Sequence, residues 1–378
     1  MSIPRLTYDE ARLLRGARWV DLRSPSEHAR DAIPDAVNVP LFDDDERALI
    51  GTLYKQVSPE AAHARGLALV TPRLEALVNT VSHTTGGIRP LVCDTVLGDR
   101  PPEVPHNLVL YCWRGGMRSR SVAELMAARG ERVVVLDGGY KSYRSWVMRQ
   151  LAAWPPAGPS PFVLISGATG TGKTLLLQEL EAAAPGTTLD LEACAGHRSS
   201  ILGAVGRRPV SQPAFESRIV ARAARLGPPP WFVEAESRKV GDAIVPDALW
   251  RAMRAAPVVE LTAQTPTRVR VLVEDYLSSP GAADEIAERL PFLERRLGAA
   301  WTGRLTALHA LGAYDEIAAL LLEHYYDPLY RHSGRDLAPP CLEIAREEPT
   351  RVERLLELRQ RLRAASAPAA AAAPASVR

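Results

Sequence analysis

Cys112 closes an apolar run, 108–111, and is followed by Trp113, Arg114, Gly115, Gly116, Met117, Arg118 and Ser119. A cysteine at the end of a buried strand, before a glycine-bearing loop and an Arg-Ser helix start, is placed to work as a thiolate. The loop turns backbone amides inward, and the helix N-terminus and Arg118 add positive potential around the sulfur. The same nest suits an oxyanion carried by the incoming atom. Cys112 is therefore the candidate nucleophile with Arg118 as its partner, and Trp113, Arg114, Gly115, Gly116, Met117 and Ser119 form the loop that receives the donor. A buried structural cysteine is the plain alternative; two glycines and two arginines in the next six residues argue against it.

A second chemistry lies downstream. Residues 167–174, Gly-Ala-Thr-Gly-Thr-Gly-Lys-Thr, fit G-x-x-x-x-G-K-[ST], with an apolar run before and a helical pattern after. Gly167, Gly170 and Gly172 let the backbone wrap a diphosphate, Lys173 reaches its terminal phosphate, and Thr174 is placed to hold Mg²⁺. ATP, GTP and an isoprenoid diphosphate share that anionic group, so the motif leaves the ligand open. Glu234 and Glu236 read as carboxylates that orient a metal or a base, the alternative being surface pairing with Arg238 and Lys239.

These residues need a scaffold, and the apolar patterning supplies an α/β one. Short strands are expected at 18–21, 37–40, 108–111 and 132–136, with a helix over 118–129 that stops at Gly130. Strand–helix alternation of this kind predicts a parallel sheet covered by helices. Residues 41–107 read as a mostly helical insertion. The proline-rich stretch 151–161 reads as a linker. Beyond it, strands at 162–166, 188–191, 231–233 and 258–261 and a helix at 175–184 predict a second α/β unit. From Thr265 the strand signals stop, and helical spacing dominates. Thr350 and Glu353 suggest a capping box for a last helix that carries Val352, Leu355, Leu356 and Leu362. The expected domains are thus 1–150, 162–264 and a helical 265–363, with a disordered Ala/Pro-rich tail, 364–378.

Composition narrows the setting. The 378 residues are enough for two or three domains. The formal net charge is only +2, and arginine far outnumbers lysine, which permits a nucleic-acid partner without demanding one. Cys93, Cys112, Cys194 and Cys341 are scattered, with no zinc spacing and no disulfide framework. No leader pattern and no apolar run near 18 residues is present, so a cytoplasmic, reduced protein without a membrane span is expected.

Loop spacing separates two precedents for Cys112. Five residues stand between Cys112 and Arg118, as in the C-x5-R loop of cysteine phosphatases, whereas thiosulfate sulfurtransferases of the rhodanese family carry a loop one residue shorter. The longer loop suits a phosphorus-centred group. Asp21-Leu22-Arg23-Ser24-Pro25-Ser26-Glu27-His28 and Ile33-Pro34-Asp35-Ala36-Val37-Asn38-Val39-Pro40 nevertheless look like the N-terminal signature of the rhodanese fold. His28 in that signature is expected to be structural rather than a base.

A rhodanese-like part joined to a phosphate loop resembles the tRNA 2-selenouridine synthases. The resemblance rests on residues 111–119 and 136–141, the phosphate loop, Asp190-Leu191-Glu192, His197-Arg198-Ser199-Ser200, residues 234–238 and Tyr325-Tyr326-Asp327-Pro328-Leu329-Tyr330. Ser199 departs from the glycine expected after His-Arg. The resemblance implies replacement of sulfur by selenium in wobble 2-thiouridine of tRNA, with selenophosphate and geranyl diphosphate as co-substrates. Geranylation on the phosphate-loop side makes the sulfur a leaving group, and Cys112, as a perselenide, delivers selenium. His197, Arg198, Arg207 and Arg208 are candidate tRNA contacts, with a solvated arginine surface as the alternative. The rival readings are an ATP-dependent tRNA sulfurtransferase, a cysteine phosphatase/kinase fusion and a non-catalytic nucleotide-gated RNA switch. No acid near the cysteine loop offers the leaving-group proton that a phosphatase needs. A nucleotide ligand and the oligomeric state stay open.

Overall fold

The computed structural model describes residues 3–83, 108–155, 158–235, 237–332 and 338–366. Cys93, Glu236, the 84–107 part of the insertion, residues 156–157 of the linker and the tail from 367 lie outside the described residues. The chain divides into two compact units, Met1–Ala152 with Ser211–Ala221, and Ala153–Val210 with Arg222–Arg378.

The first unit is built on a five-stranded parallel sheet, β1 (Arg5–Leu6), β2 (Arg18–Asp21), β3 (Val37–Asn38), β4 (Leu108–Tyr111) and β5 (Val133–Leu136), in the order β1-β5-β4-β2-β3. Every residue of β4 and β5 is buried, as central strands covered on both faces must be. That apolar run delivers Cys112 to the carboxyl edge of the sheet, where α/β folds present their ligand-binding loops. Helix Met117–Ala128 starts immediately after the loop. Expected strand 37–40 ends its pairing at Asn38; Pro40 has no N–H to extend the ladder. The insertion is helical over its described part, as Asp44–Gln56, Pro59–Val70 and Leu74–His83, the first two capped by Asp43 and Ser58.

Segment Ser211–Ala221 belongs to this first unit, although it lies within the 162–264 stretch of the sequence. A buried carboxylate accounts for it. Asp31 is 5% exposed and accepts hydrogen bonds from Tyr140 (2.8 Å) and Ser217 (3.0 Å). Burial raises the Asp31 pKa, and those two donors oppose the rise.

The second unit carries β6 (Phe162–Ser166), β7 (Thr188–Leu189), β8 (Trp231–Glu234), a small antiparallel pair β9 (Lys239–Val240) and β10 (Ala243–Ile244), β11 (Val258–Thr262) and β12 (Pro340–Ala345). Its main sheet is parallel, in the order β12-β11-β6-β8-β7. Strand β12 corrects the expectation that strands end at Thr265. It is an edge strand on which only Ile344 is buried, so its sequence lacks the apolar run that marks β6 or β11. The last helix, Arg351–Ser366, presses Leu355 and Leu358 onto the sheet beside Leu176, Leu177 and Leu180. Its expected capping box is not made, because the Thr350 hydroxyl donates to Glu348 instead (3.2 Å). Helices between β11 and β12 enclose a separate core around Tyr276, Leu290, Leu293 and Leu321. Among the described residues no helix is long and apolar enough to cross a membrane.

Candidate functional site

In the first unit the site grows from the turn after β4. Gly139, at φ +57°, lets the β5 loop close against the cysteine loop: a Cβ there would stand 2.3 Å from the Cys112 carbonyl and 2.4 Å from the Gly115 nitrogen. The Tyr140 amide donates to the Cys112 carbonyl (2.9 Å), and that of Lys141 to the Trp113 carbonyl (3.1 Å). The cysteine loop is therefore pinned from behind by Gly139-Tyr140-Lys141. Beneath it lies a buried network in which Arg23 is ion-paired with Asp21 (2.6 Å), donates to the Asp31 carbonyl (2.7 Å) and covers the Tyr140 ring at 3.9 Å. His28 Nδ1 lies 2.9 Å from the Asp21 carboxylate, which places it in this framework and away from the sulfur's own partners.

Cys112 is 3% exposed, and its Sγ lies 3.4 Å from the Ser119 hydroxyl. Burial pushes the thiol pKa up. The Ser119 hydroxyl, the Arg118 charge and the amides of Ser119 and Arg114 outweigh that, so the net shift is downward. Arg118 is itself held by Glu27 (3.3 Å), which also pairs with Arg47 (3.2 Å) and accepts from the Ser24 amide (3.2 Å). Thiolate reactivity is present above the folded pKa and lost as pH falls through it. Alkylation of the Cys112 peptide by iodoacetamide thus has its midpoint below the free-thiol value of about 8.5. Arg118→Ala moves that midpoint upward; an unmoved midpoint would refute the role given to Arg118.

The cysteine loop opens into a cleft of 870 Å³. Its walls are the insertion helices and helix Met117–Ala128, with Phe42, Ile50, Ala62, Leu67, Val70 and Leu125 among its lining, and Arg47, Lys55, Arg114 and Arg118 supplying cations. Leu67 is 53% exposed and Leu125 36%, both large apolar side chains that the fold leaves uncovered.

In the second unit the phosphate loop runs from β6 into helix Lys173–Ala183, as its pattern predicted. Gly167 has φ +151°, and a Cβ there would stand 2.4 Å from the Leu261 carbonyl, so the loop crosses β11 too closely for any side chain. Lys173 Nζ donates to the Gly167 carbonyl (2.9 Å) and sits at the mouth of the loop. The Thr174 hydroxyl lies 3.4 Å from Glu192, whose other oxygen accepts from the Ser199 amide (2.7 Å). Glu234 ends β8, one strand from the loop, and is buried. Arg268 donates to the Thr169 carbonyl (2.8 Å) and is ion-paired with Asp327 (2.5 Å), tying the loop to the Tyr-Tyr-Asp-Pro segment. That segment begins in a π-helical turn, Leu322–Tyr326. Beside the loop lies a cavity of 530 Å³ whose lining includes Thr169, His197, Phe292, Arg296, Tyr325 and Tyr330.

A family model described as the tRNA 2-selenouridine synthase AAA domain matches residues 160–361. Proteins named tRNA 2-selenouridine synthase are similar over most of the chain. The one from Chromohalobacter salexigens is 31% identical over 360 residues, 88% of this chain and 91% of its own. The one from Cronobacter sakazakii is 34% identical over 357 residues, 85% and 88%. The one from Cupriavidus necator is 32% identical over 349 residues, 84% and 88%. The chain belongs to the tRNA 2-selenouridine synthase family.

The tRNA-contact residues expected for a member of this family fall into different environments. Arg198 is 7% exposed, and its guanidinium is engaged by Asp275 (2.6 Å) and the Val205 carbonyl (2.6 Å). It is a framework residue in this structure. Arg207 is half-buried beside Asp275 (3.7 Å), and Arg208 is exposed. His197 lines the cavity; its Nδ1 is buried without a hydrogen-bond partner among the described residues, and burial lowers its pKa. Tyr326 is buried and Tyr325 half-buried; both pack on the helical core and both line the cavity. Ser199, which replaces the glycine expected in a synthase of this family, keeps a negative φ, so the backbone there does not require glycine.

Sequence reasoning did not single out Glu27, Glu192, Arg268 or the insertion helices as parts of a site. Glu27 had a signal, the Ser24-x-x-Glu27 capping box. The others are joined to their loops only by tertiary contacts.

Proposed function

We propose that this protein converts wobble 2-thiouridine of tRNA to 2-selenouridine, through an S-geranyl intermediate made from geranyl diphosphate and with selenophosphate as the selenium donor. The observation that supports a geranylated intermediate at the selenium-transfer site is the 870 Å³ cleft at Cys112. An anionic selenium donor needs only the amide nest and cations. A largely apolar cleft of this size suits a hydrocarbon group, and burying one contributes about 25 cal/mol per Å² of apolar surface.

The phosphate loop supports the first reaction. The thiocarbonyl sulfur attacks C1 of the geranyl group, the carbon–oxygen bond breaks, and the diphosphate leaves into the field of Lys173 and the loop amides. Thr174 and Glu192 offer oxygen ligands for a magnesium ion on that diphosphate. Among the described residues no group of three or more His, Cys, Asp or Glu side chains is arranged to hold a metal, so such an ion would take its remaining ligands from substrate and water. Selenium then replaces the alkylated sulfur at C2, and geranyl thiol departs. Cys112 is the nucleophile that opens the donor. His197, Arg207, Arg208 and Tyr325 are the groups that we assign to the RNA.

The test is anaerobic incubation of the full chain with 2-thiouridine tRNA, selenophosphate and geranyl diphosphate, with wobble nucleosides read by mass spectrometry. Geranylated product with the diphosphate alone, and selenated product once selenophosphate is added, are expected. Absence of both products sinks the reading. Leu67→Glu and Leu125→Glu place charge in the cleft at exposed positions, where the fold tolerates it. Each lowers selenation of pre-geranylated RNA about 10-fold or more, the scale set by losing part of a buried apolar contact.

A further inference from the structure

We propose that Cys112 acts on phosphorus: its thiolate takes the phosphoryl group from the selenium donor, forming a transient phosphocysteine and releasing selenide into the adjoining cleft. The inference rests on the reading above for selenophosphate as the donor and S-geranylated uridine as the acceptor.

Electron counting separates the two atoms that the thiolate could attack. In selenophosphate the selenium is already at the selenide level and the phosphorus is pentavalent. Attack on selenium makes a perselenide only if phosphorus departs with the bonding pair, which yields phosphite; ending at phosphate would need an oxidant. Attack on phosphorus needs none. The S–P bond forms, the P–Se bond breaks with its pair on selenium, and selenium keeps the oxidation level it has in the selenocarbonyl product. Selenide then adds to C2 of the S-geranylated uridine, and the geranyl thiolate leaves. Water cleaves the S–P bond, giving inorganic phosphate and the Cys112 thiolate.

The loop is built for that displacement. Five residues separate Cys112 from Arg118, and Gly115, at φ +65°, turns the loop between them. Arg118, fixed by Glu27, and Arg114 line the same cleft, where they face the charge of a phosphoryl group. The Ser119 hydroxyl at 3.4 Å from Sγ stabilises the thiolate when it leaves phosphorus. Glu27, a carboxylate that reaches this loop, is ion-paired with both Arg118 and Arg47, and no proton donor to the leaving group is assigned. None is needed, since selenide is the conjugate base of a comparatively strong acid and leaves unprotonated. The missing acid that argues against ordinary phosphate-ester hydrolysis is thus compatible with a phosphoryl–selenium bond.

The experiment is the donor half-reaction: full-length protein and selenophosphate, anaerobic, with and without RNA that already carries S-geranyl-2-thiouridine. Acid-quenched protein is digested for peptide mass spectrometry, and the phosphorus products are read by ³¹P NMR. Phosphate as the phosphorus product, a phosphoryl group on the Cys112 peptide and selenide captured by an alkylating agent are expected. Ser119→Ala raises the phosphorylated fraction by slowing hydrolysis, and Cys112→Ala abolishes selenide release. Phosphite with selenium on the Cys112 peptide overturns the proposal. So does donor cleavage that Cys112→Ala leaves unchanged, or no donor cleavage by the unaltered protein under either condition. Phosphocysteine without RNA selenation sinks the functional reading alone, and RNA selenation with phosphite release sinks this one alone.

Discussion

Cys112→Ala abolishes selenation, by more than about 10³-fold, while geranylation proceeds at close to its normal rate. The asymmetry follows from where the sulfur sits. Its partners are Ser119, Arg118 and the amides of its own loop, all in the first unit, and the phosphate loop belongs to the second. Alanine removes the nucleophile and leaves the Gly139–Cys112 backbone contact intact, since that contact uses the carbonyl and not the side chain. Geranylated RNA should therefore accumulate when both co-substrates are supplied. Equal loss of the two steps would mean that the thiol serves alkylation as well, and would dissolve the division of labour.

Lys173→Ala produces the mirror image. Geranylation falls by about 10²–10³-fold, the cost of removing one preorganised donor from developing charge. Selenation of RNA that already carries the geranyl group is retained. Lys173 donates to the Gly167 carbonyl in the structure, so its loss frees one backbone acceptor of the loop. The loop itself is held by Arg268 on Thr169 and by the close crossing of Gly167 over β11, and it keeps its shape without the lysine. Steady-state geranylation with varied geranyl diphosphate measures the effect. A Lys173→Ala protein that alkylates at the normal rate would remove the phosphate loop from the reaction.

Much of this architecture was legible because the central parallel strands are short and apolar. Leu108–Tyr111 and Phe162–Ser166 begin and end where their sequence patterns do, since a strand buried on both faces is built mainly of apolar residues. β12 was hidden for the converse reason: an edge strand with one buried residue reads like a loop. The environment of Arg198 was not legible, because a motif shows a charge but not its counter-ion, and Asp275 lies far along the chain. The insertion helices looked like filler, and Glu192 like one residue of a motif, until the fold set them beside Cys112 and Thr174.

By itself, then, the sequence marked the two candidate chemistries. Residue types at fixed short spacing, Cys112 with Arg118 and the glycines with Lys173, act through local backbone geometry that neighbouring residues dictate. Tertiary structure alone decided what surrounds them: the apolar cleft at the thiol, the carboxylate beside Thr174, and which arginines are engaged in the fold. Those depend on contacts between segments distant in the chain, and no spacing rule along a sequence encodes which distant side chain will arrive.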